Sequence, residues 1–373
     1  MAQGVGSTYN LTNGLMLDIE PMINLLSPYD VPLTGGYGAD GRTAIAQGTC
    51  FEKSVQWLDE VLISPRTTAN ATITSAVVTL VINDADVFVA GDVILTAANE
   101  YIRVTAVDAA GTSLTITRSY ASSTAATITA GTSLVGVGAV LIEGSDPGTI
   151  RNVDRTTVTN NTQVFGPYAV GVTGSEQVIR KYGLNGTTEF EHQVANRLKE
   201  AAIGIEQAVL YGIKQDGSAA VGRSMSGLIS FVTTNVDSTT TTITEATLLA
   251  QMQAAYDLGG LPDRLVVGSK TKRVISAFTS GLTLNSARVD NGRGTIVDYF
   301  DSDFGRVSVI LDRWCRTQDA FGFNRDQVEL STLRPLQFEP LAKTGDSIKG
   351  QIVGEKTLKV RRQKHGFRFS ALT

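Results

Sequence analysis

From Thr187 to Gly212 the apolar residues recur with a helical period: Phe190, Val194, Leu198, Ala201, Ala202, Ile205 and Val209 share one stripe, with His192, Asn196, Lys199 and Glu206 opposite. Thr188 and Glu191 have the spacing of a capping box, Glu189 and Glu191 suit the positive end of the helix dipole, and Gly212 offers a stop. At 1.5 Å per residue such a helix is about 35 Å long. The remaining elements must therefore be arranged around a rigid beam.

Between Thr67 and Ile142 the chain turns to Thr, Ala, Val and Ser and contains no Lys. Short β-prone runs at Val77 to Ile82, Val93 to Thr96, Tyr101 to Val107, Ser113 to Thr117 and Ser133 to Ile142 alternate with turn signals at Asn83-Asp84, Ala90-Gly91-Asp92, Ala109-Ala110-Gly111 and Ala130-Gly131. This pattern predicts a compact all-β module of about five or six strands. Asn83-Asp84-Ala85-Asp86 with Asp92 lacks the glycine bend and the closing Glu of a calcium loop, so a turn is expected there.

Before the module, residues 1–48 are rich in Gly, Ser, Thr and Pro and predict an extended arm with one short helix begun at Pro21. After the long helix, the sequence predicts a helix from Glu245 to Leu258, a strand Arg264 to Val267, a helix Ser269 to Phe278 and a strand Val307 to Leu311, a mixed α/β unit. Asp326 to Leu333, Ile348 to Gly354 and Thr357 to Arg362 read as closing strands, giving an α+β fold class.

Catalytic and cofactor chemistry finds no support in the motifs. The two histidines, His192 and His365, lack zinc-ligand spacing, and no G-x-S-x-G elbow occurs. Gly35 to Gly41 lacks the Lys-Ser/Thr ending of a phosphate loop, and Asp298, Asp301 and Asp303 read as a solvated loop. Cys50 and Cys315 predict two idle thiols. No enzyme activity, metal or cofactor is expected. No basic, apolar leader or span of ~20 apolar residues is present, so a cytosol-like compartment and no membrane are expected.

Charged residues are 18% of the 373, against roughly 25% in ordinary soluble proteins, which suggests surface covered by another chain. The net charge of -4 excludes a wholesale polycation and leaves local patches open. The densest is Lys356, Lys359, Arg361, Arg362, Lys364, His365 and Arg368, interleaved with Leu358, Val360, Phe367 and Phe369. Alternation buries Leu358 and Val360 and turns Lys359 and Arg361 to the other side. The plainer reading is a solvated sheet face or salt bridges; the functional one is phosphate neutralisation with counterion release.

The order of arm, β-rich excursion, long helix, α/β unit and closing strands resembles the major capsid proteins of tailed bacteriophages, in particular a subgroup with a β domain inserted in the extended loop. The stretches that are similar are Phe51-Glu52-Lys53-Ser54-Val55-Gln56-Trp57-Leu58-Asp59-Glu60, Asn160-Asn161-Thr162-Gln163-Val164-Phe165, Ile205-Glu206-Gln207-Ala208-Val209-Leu210-Tyr211-Gly212, Phe304-Gly305-Arg306-Val307-Ser308-Val309-Ile310 and Gly354-Glu355-Lys356-Thr357-Leu358-Lys359-Val360. Some such proteins crosslink Lys to Asn between subunits; the absence of Lys between Lys53 and Lys181 departs from that pattern.

The resemblance implies an N-terminal arm (1–50), an extended loop (51–182) carrying the β module (67–142), the spine helix of a peripheral domain (183–215), an axial α/β domain (216–335) and C-terminal strands returning to the peripheral domain (336–373). It implies a structural protein that self-assembles into hexamers and pentamers of an icosahedral shell around phage double-stranded DNA. Copies of itself, portal and scaffolding or decoration proteins are the implied partners, in a virion capsid assembled in the host cytoplasm. Phe51, Trp57, Phe165 and Tyr168, with Val170, are expected at contacts between subunits, and Arg197, Lys199, Lys359, Arg361 and Arg362 are expected to face DNA. A phage adhesive or decoration protein, or an encapsulin-like cellular shell protein, is the alternative.

Overall fold

The computed structural model describes residues 30–35, 43–60, 62, 64–83, 87–108, 112–140, 143–144, 155–179, 181, 188–278 and 299–373. The helix expected at Pro21, the Gly36 to Gly41 stretch, Asp84 to Asp86 and Asp298 lie outside these residues. The described chain forms two compact units, one of residues 1–57 with 158–373 and one of residues 58–157. Both chain crossings fall in the paired strands Ser54–Glu60 and Arg155–Asn161.

In the larger unit the long helix spans Glu189–Tyr211. Both bonds of its capping box form: the Glu191 amide donates to Thr188 Oγ1, and the Thr188 amide donates to the Glu191 carboxylate. Ala201, Ile205, Val209 and Leu210 are buried along its inner face. Two positions correct the helical stripe read from sequence. Leu198 is exposed, whereas Glu206, placed on the polar side, is fully buried. The helix stops at Gly212 because the next segment crosses there backbone to backbone: the Gly227 amide donates to Gly212 O at 2.8 Å, and a Cβ on Gly212 would meet two carbonyl oxygens at 2.5 Å.

The helix packs on a four-stranded sheet in the order Ala46–Thr49, Val328–Pro340, Ser347–Val360, Gln163–Thr173. The two closing strands expected between Ile348 and Arg362 are one continuous strand of 14 residues. Gly354, expected as the last residue of the first of the two, lies within the strand, where a Cβ would fall 2.9 Å from the Leu336 Cα. Leu33, Phe165, Ile205, Val209, Leu330, Leu358 and Val360 meet in the core between helix and sheet.

A second, six-stranded sheet runs Val236–Asp237, Phe367–Phe369, Ala320–Phe323, Arg264–Val267, Gly305–Leu311, Tyr299–Ser302. Its core also takes in the helices Glu245–Asp257 and Ser269–Ser276. The C-terminal strand corrects the expectation that residues 336–373 all return to the long helix. Phe367 and Phe369 alternate inward and are fully buried with Phe300 and Val307, so this strand inserts into the α/β sheet. Gly322 makes room for it, since a Cβ there would fall 2.3 Å from the Phe367 ring.

The smaller unit is a closed barrel. Its strands follow the order Arg66–Thr68, Ser133–Ala139, Asp92–Thr96, Tyr101–Val107, Ser113–Thr117, Thr79–Val81. The two ends of that order join: the Asn70 amide donates to Val81 O at 2.9 Å, the Asn83 amide donates to Thr68 O at 3.2 Å, and Ala69 bridges Ile82. Closure removes the free edges that so apolar a sheet would otherwise offer to other chains. Leu80, Ile82, Ile94, Ile102, Leu114 and Leu134 fill its interior.

Candidate assembly site

Phe51 is 92% exposed, although the backbone on either side of it is fixed. The Cys50 amide donates to Thr332 O at 3.1 Å, and the Thr162 amide donates to Lys53 O at 2.8 Å. A large aromatic ring held in water on an ordered backbone is the form of an interface anchor, since little chain entropy is left to lose on binding. Trp57 is half-buried instead, its ring 5.9 Å from that of Phe231, and its indole nitrogen has no hydrogen-bond partner among the described residues.

Phe165 and Tyr168 do not face outward, which corrects the contacts expected there. A register shift between them places both on the helix-facing side of their strand. Phe165 and Val170 are therefore buried in their own chain, and Tyr168 packs half-buried against the same core. Burial raises the Tyr168 phenol above its ordinary range, with the Glu200 carboxylate adding to the shift. Gly204 of the long helix leaves space for that hydroxyl, 2.6 Å from where a Cβ would stand.

The basic residues are spread over two elements. On the long helix, Arg197 pairs with Glu200 and Lys199 is half-buried. On the closing strand, Lys359 Nζ lies 3.1 Å from Glu329 Oε1, and Arg361 Nη2 lies 2.5 Å from Glu329 Oε2. Burial alone would raise the Glu329 carboxyl, but hydrogen bonds from Ser331, Lys359 and Arg361 together hold it below its ordinary value. Arg362 follows in the left-handed backbone region, at φ 51°. Lys356 is half-buried on the same strand, and desolvation lowers its ammonium.

Other polar groups serve the fold. His192 bonds Asn196 and His365 bonds Gln327, at 3.2 and 2.9 Å. Cys50 and Cys315 are buried free thiols, and burial pushes the Cys315 thiol up to about 12. Asp301 pairs with Arg306. Among the described residues no cluster of three or more His, Cys, Asp or Glu could hold a metal, and no helix is long and apolar enough to cross a membrane.

Two carboxylates escaped the sequence reading. Glu206 accepts three hydrogen bonds from the segment at residues 30–35: the Leu33 amide at 2.7 Å, the Thr34 amide at 2.8 Å and the Thr34 hydroxyl at 2.5 Å. Burial, reinforced by the Asp312 carboxylate, outweighs these bonds and raises Glu206 to about 7. Glu100 lies fully buried in the barrel beside Arg118. Glu206 was visible in principle, since Ala202, Glu206, Val209 and Leu210 follow helical spacing on the inner face. Glu100 gave no such signal, because its partner is set by the barrel and not by local spacing.

The long helix laid across one sheet and the mixed α/β unit form an α+β fold that matches phage capsid folds. The structure matches the capsid of Myoviridae phage XM1 with TM-score 0.50 and 11% identity, over 96% of this chain and 99% of that one. A chain of Microbacterium phage Oxtober96 aligns with TM-score 0.47 and 12% identity over 96% and 95%. The SrpI encapsulin of Synechococcus elongatus PCC 7942 aligns with TM-score 0.44 and 10% identity over 59% and 78%. No curated protein matches the chain. The profile of the SU10 major capsid protein family matches residues 2–373, and the chain belongs to that family. It is a structural subunit of a phage capsid shell.

Proposed function

We propose that copies of this chain form the hexamers and pentamers of an icosahedral shell that encloses double-stranded DNA and is assembled in the host cytoplasm. The family match over residues 2–373 carries this reading. Residues 51–182 act as an extended loop with the barrel inserted in it, and the exposed Phe51 at its root is the side chain offered to a neighbouring copy. Trp57, whose indole nitrogen is unpaired among the described residues, contributes beside it.

Arg197, Lys199, Lys359, Arg361 and Arg362 supply the positive charge that meets the genome. Lys359 and Arg361 share the single Glu329 carboxylate, so that corner keeps a net positive charge. Such contacts neutralise phosphate without reading sequence. Portal and scaffolding or decoration proteins complete the assembly, and the role is structural and not enzymatic. Negative-stain microscopy of the purified protein tests the reading: capsomers or closed particles are expected, and a strictly monomeric species at high concentration contradicts it.

A further inference from the structure

Phe51 and Glu52 hang between two fixed points. Before them, the Cys50 amide is bonded to Thr332 O of the strand Val328–Pro340. After them, Lys53 O accepts two hydrogen bonds from one residue, from the Thr162 amide at 2.8 Å and from the Thr162 hydroxyl at 3.1 Å. Thr162 is fully buried, whereas residues 51–53 are exposed. The water-facing bend is thus held from beneath by a side chain that water does not reach.

Thr162 is held in its turn. Arg223 Nε donates both to Thr162 O, at 2.8 Å, and to Thr162 Oγ1, at 3.1 Å, while Arg223 Nη2 lies 2.5 Å from Glu355 Oε2 on the strand Ser347–Val360. The hydroxyl accepts from Arg223 and donates to Lys53, so the direction of its single proton is set. The residue before it is pinned as well: Thr357 Oγ1 donates to Asn161 O at 2.9 Å, and Asn161 Nδ2 donates to Asp216 Oδ1 at 2.7 Å.

A buried hydroxyl costs stability unless it is paired, and a site that needed only packing would be filled as well by valine. Charge-assisted bonds from a planar guanidinium are, by contrast, strong and directional. We infer that Glu355, Arg223 and Thr162 form a relay that positions Phe51 for contact with a second copy of the chain, by fixing Lys53 before that copy arrives. The inference rests on the shell reading, in which Phe51 is the side chain offered to a neighbour. Arg223 and Thr162 are positioning residues in it, since they act through Lys53 and not by touching the neighbour.

The size of the effect follows from chain entropy. Fixing the backbone of one residue costs about a factor of ten in an equilibrium constant. The relay prepays this for Phe51 and Glu52. Loss of the Thr162 hydroxyl leaves the Thr162 amide still bonded to Lys53 O, so the release is partial and about tenfold in all is expected.

Hydrogen exchange at position 162 of the full-length chain reads the relay, and the concentration at which light scattering detects particles reads its effect on assembly. Thr162→Val removes the hydroxyl at nearly constant shape, and Arg223→Gln removes the fork. Each should speed exchange at position 162 and raise the assembly concentration, both about tenfold, with the Val209 amide of the long helix as protected as in the parent. Thr162→Ser keeps the hydroxyl and should stay close to the parent in both readings. The double variant should be no worse than the more damaging single, because both changes cut the same relay. Parental exchange in both single variants, faster exchange with an unchanged assembly concentration, or a Thr162→Ser that behaves like Thr162→Val would overturn the inference. A parent that forms no particles contradicts the shell reading instead, and exchange at position 162 then judges the relay on its own. Arg223 is partly exposed, so Arg223→Gln keeps the test decisive even if Thr162→Val does not fold.

Discussion

Arg118 grips Glu100 inside the barrel through two parallel bonds of 2.7 Å, from Nε to one carboxylate oxygen and from Nη2 to the other. Neither side chain is more than 7% exposed. The same guanidinium donates to Thr74 O and Ala126 O, and Glu100 also accepts the Ser119 and Ala126 amides. One buried ion pair thus ties together loops that alternation alone would leave loose.

Replacing Arg118 by Leu leaves a carboxylate buried without its counter-charge. The expected cost to the barrel is about 3–5 kcal/mol, read as faster exchange of the Ile102 and Leu114 amides in the full-length chain. Unchanged protection would show that the pair is ornamental to stability.

The barrel has a pH response of its own. Burial alone would raise the Glu100 carboxyl, but the Arg118, Ala126 and Ser119 hydrogen bonds outweigh it and hold the group below its ordinary 4.5. Its contribution is therefore fully present above pH 4.5 and is lost as the pH falls through its lower folded value. Barrel amides in the full-length chain should therefore lose hydrogen-exchange protection, corrected for intrinsic pH dependence, in acid. Protection that stays level in acid would contradict this.

The C-terminal strand predicts intolerance at the very end of the chain. Phe369→Ala empties a fully buried site in the α/β core and should cost about 3–5 kcal/mol. Loss of residues 367–373 removes a strand that lies between two others and should leave the protein insoluble. Solubility and thermal melting of the two variants check this, and near-native melting of either would refute the central placement of that strand.

The features legible in the sequence were those set by near neighbours in the chain. The Thr188 and Glu191 capping box, the beam Glu189–Tyr211 and the barrel strands followed from spacing and turn chemistry. Partners distant in sequence were not legible. Glu206 was read as solvated because the segment that buries it lies 172 and 173 residues away. Phe165, which the resemblance places at a subunit contact, is buried in its own chain beside a register shift that no local pattern announces. The pairing of Phe367–Phe369 with Ala320–Phe323 is a sheet decision that no local pattern announces.

Phe51 gives the mutational test of assembly. Its ring touches little of its own chain, so Phe51→Asp should leave the unfolding free energy within about 0.5 kcal/mol of the parent, while light scattering shows assembly lost or sharply reduced. Assembly at parental levels would remove Phe51 from the interface.

The central claim is that this chain builds a closed shell from copies of itself, and cryo-microscopy of the particles formed by the purified protein measures that directly. Rings of five and six copies, arranged with icosahedral symmetry, are the predicted result. Isolated monomers at high concentration, or open filaments without five-fold vertices, would contradict it.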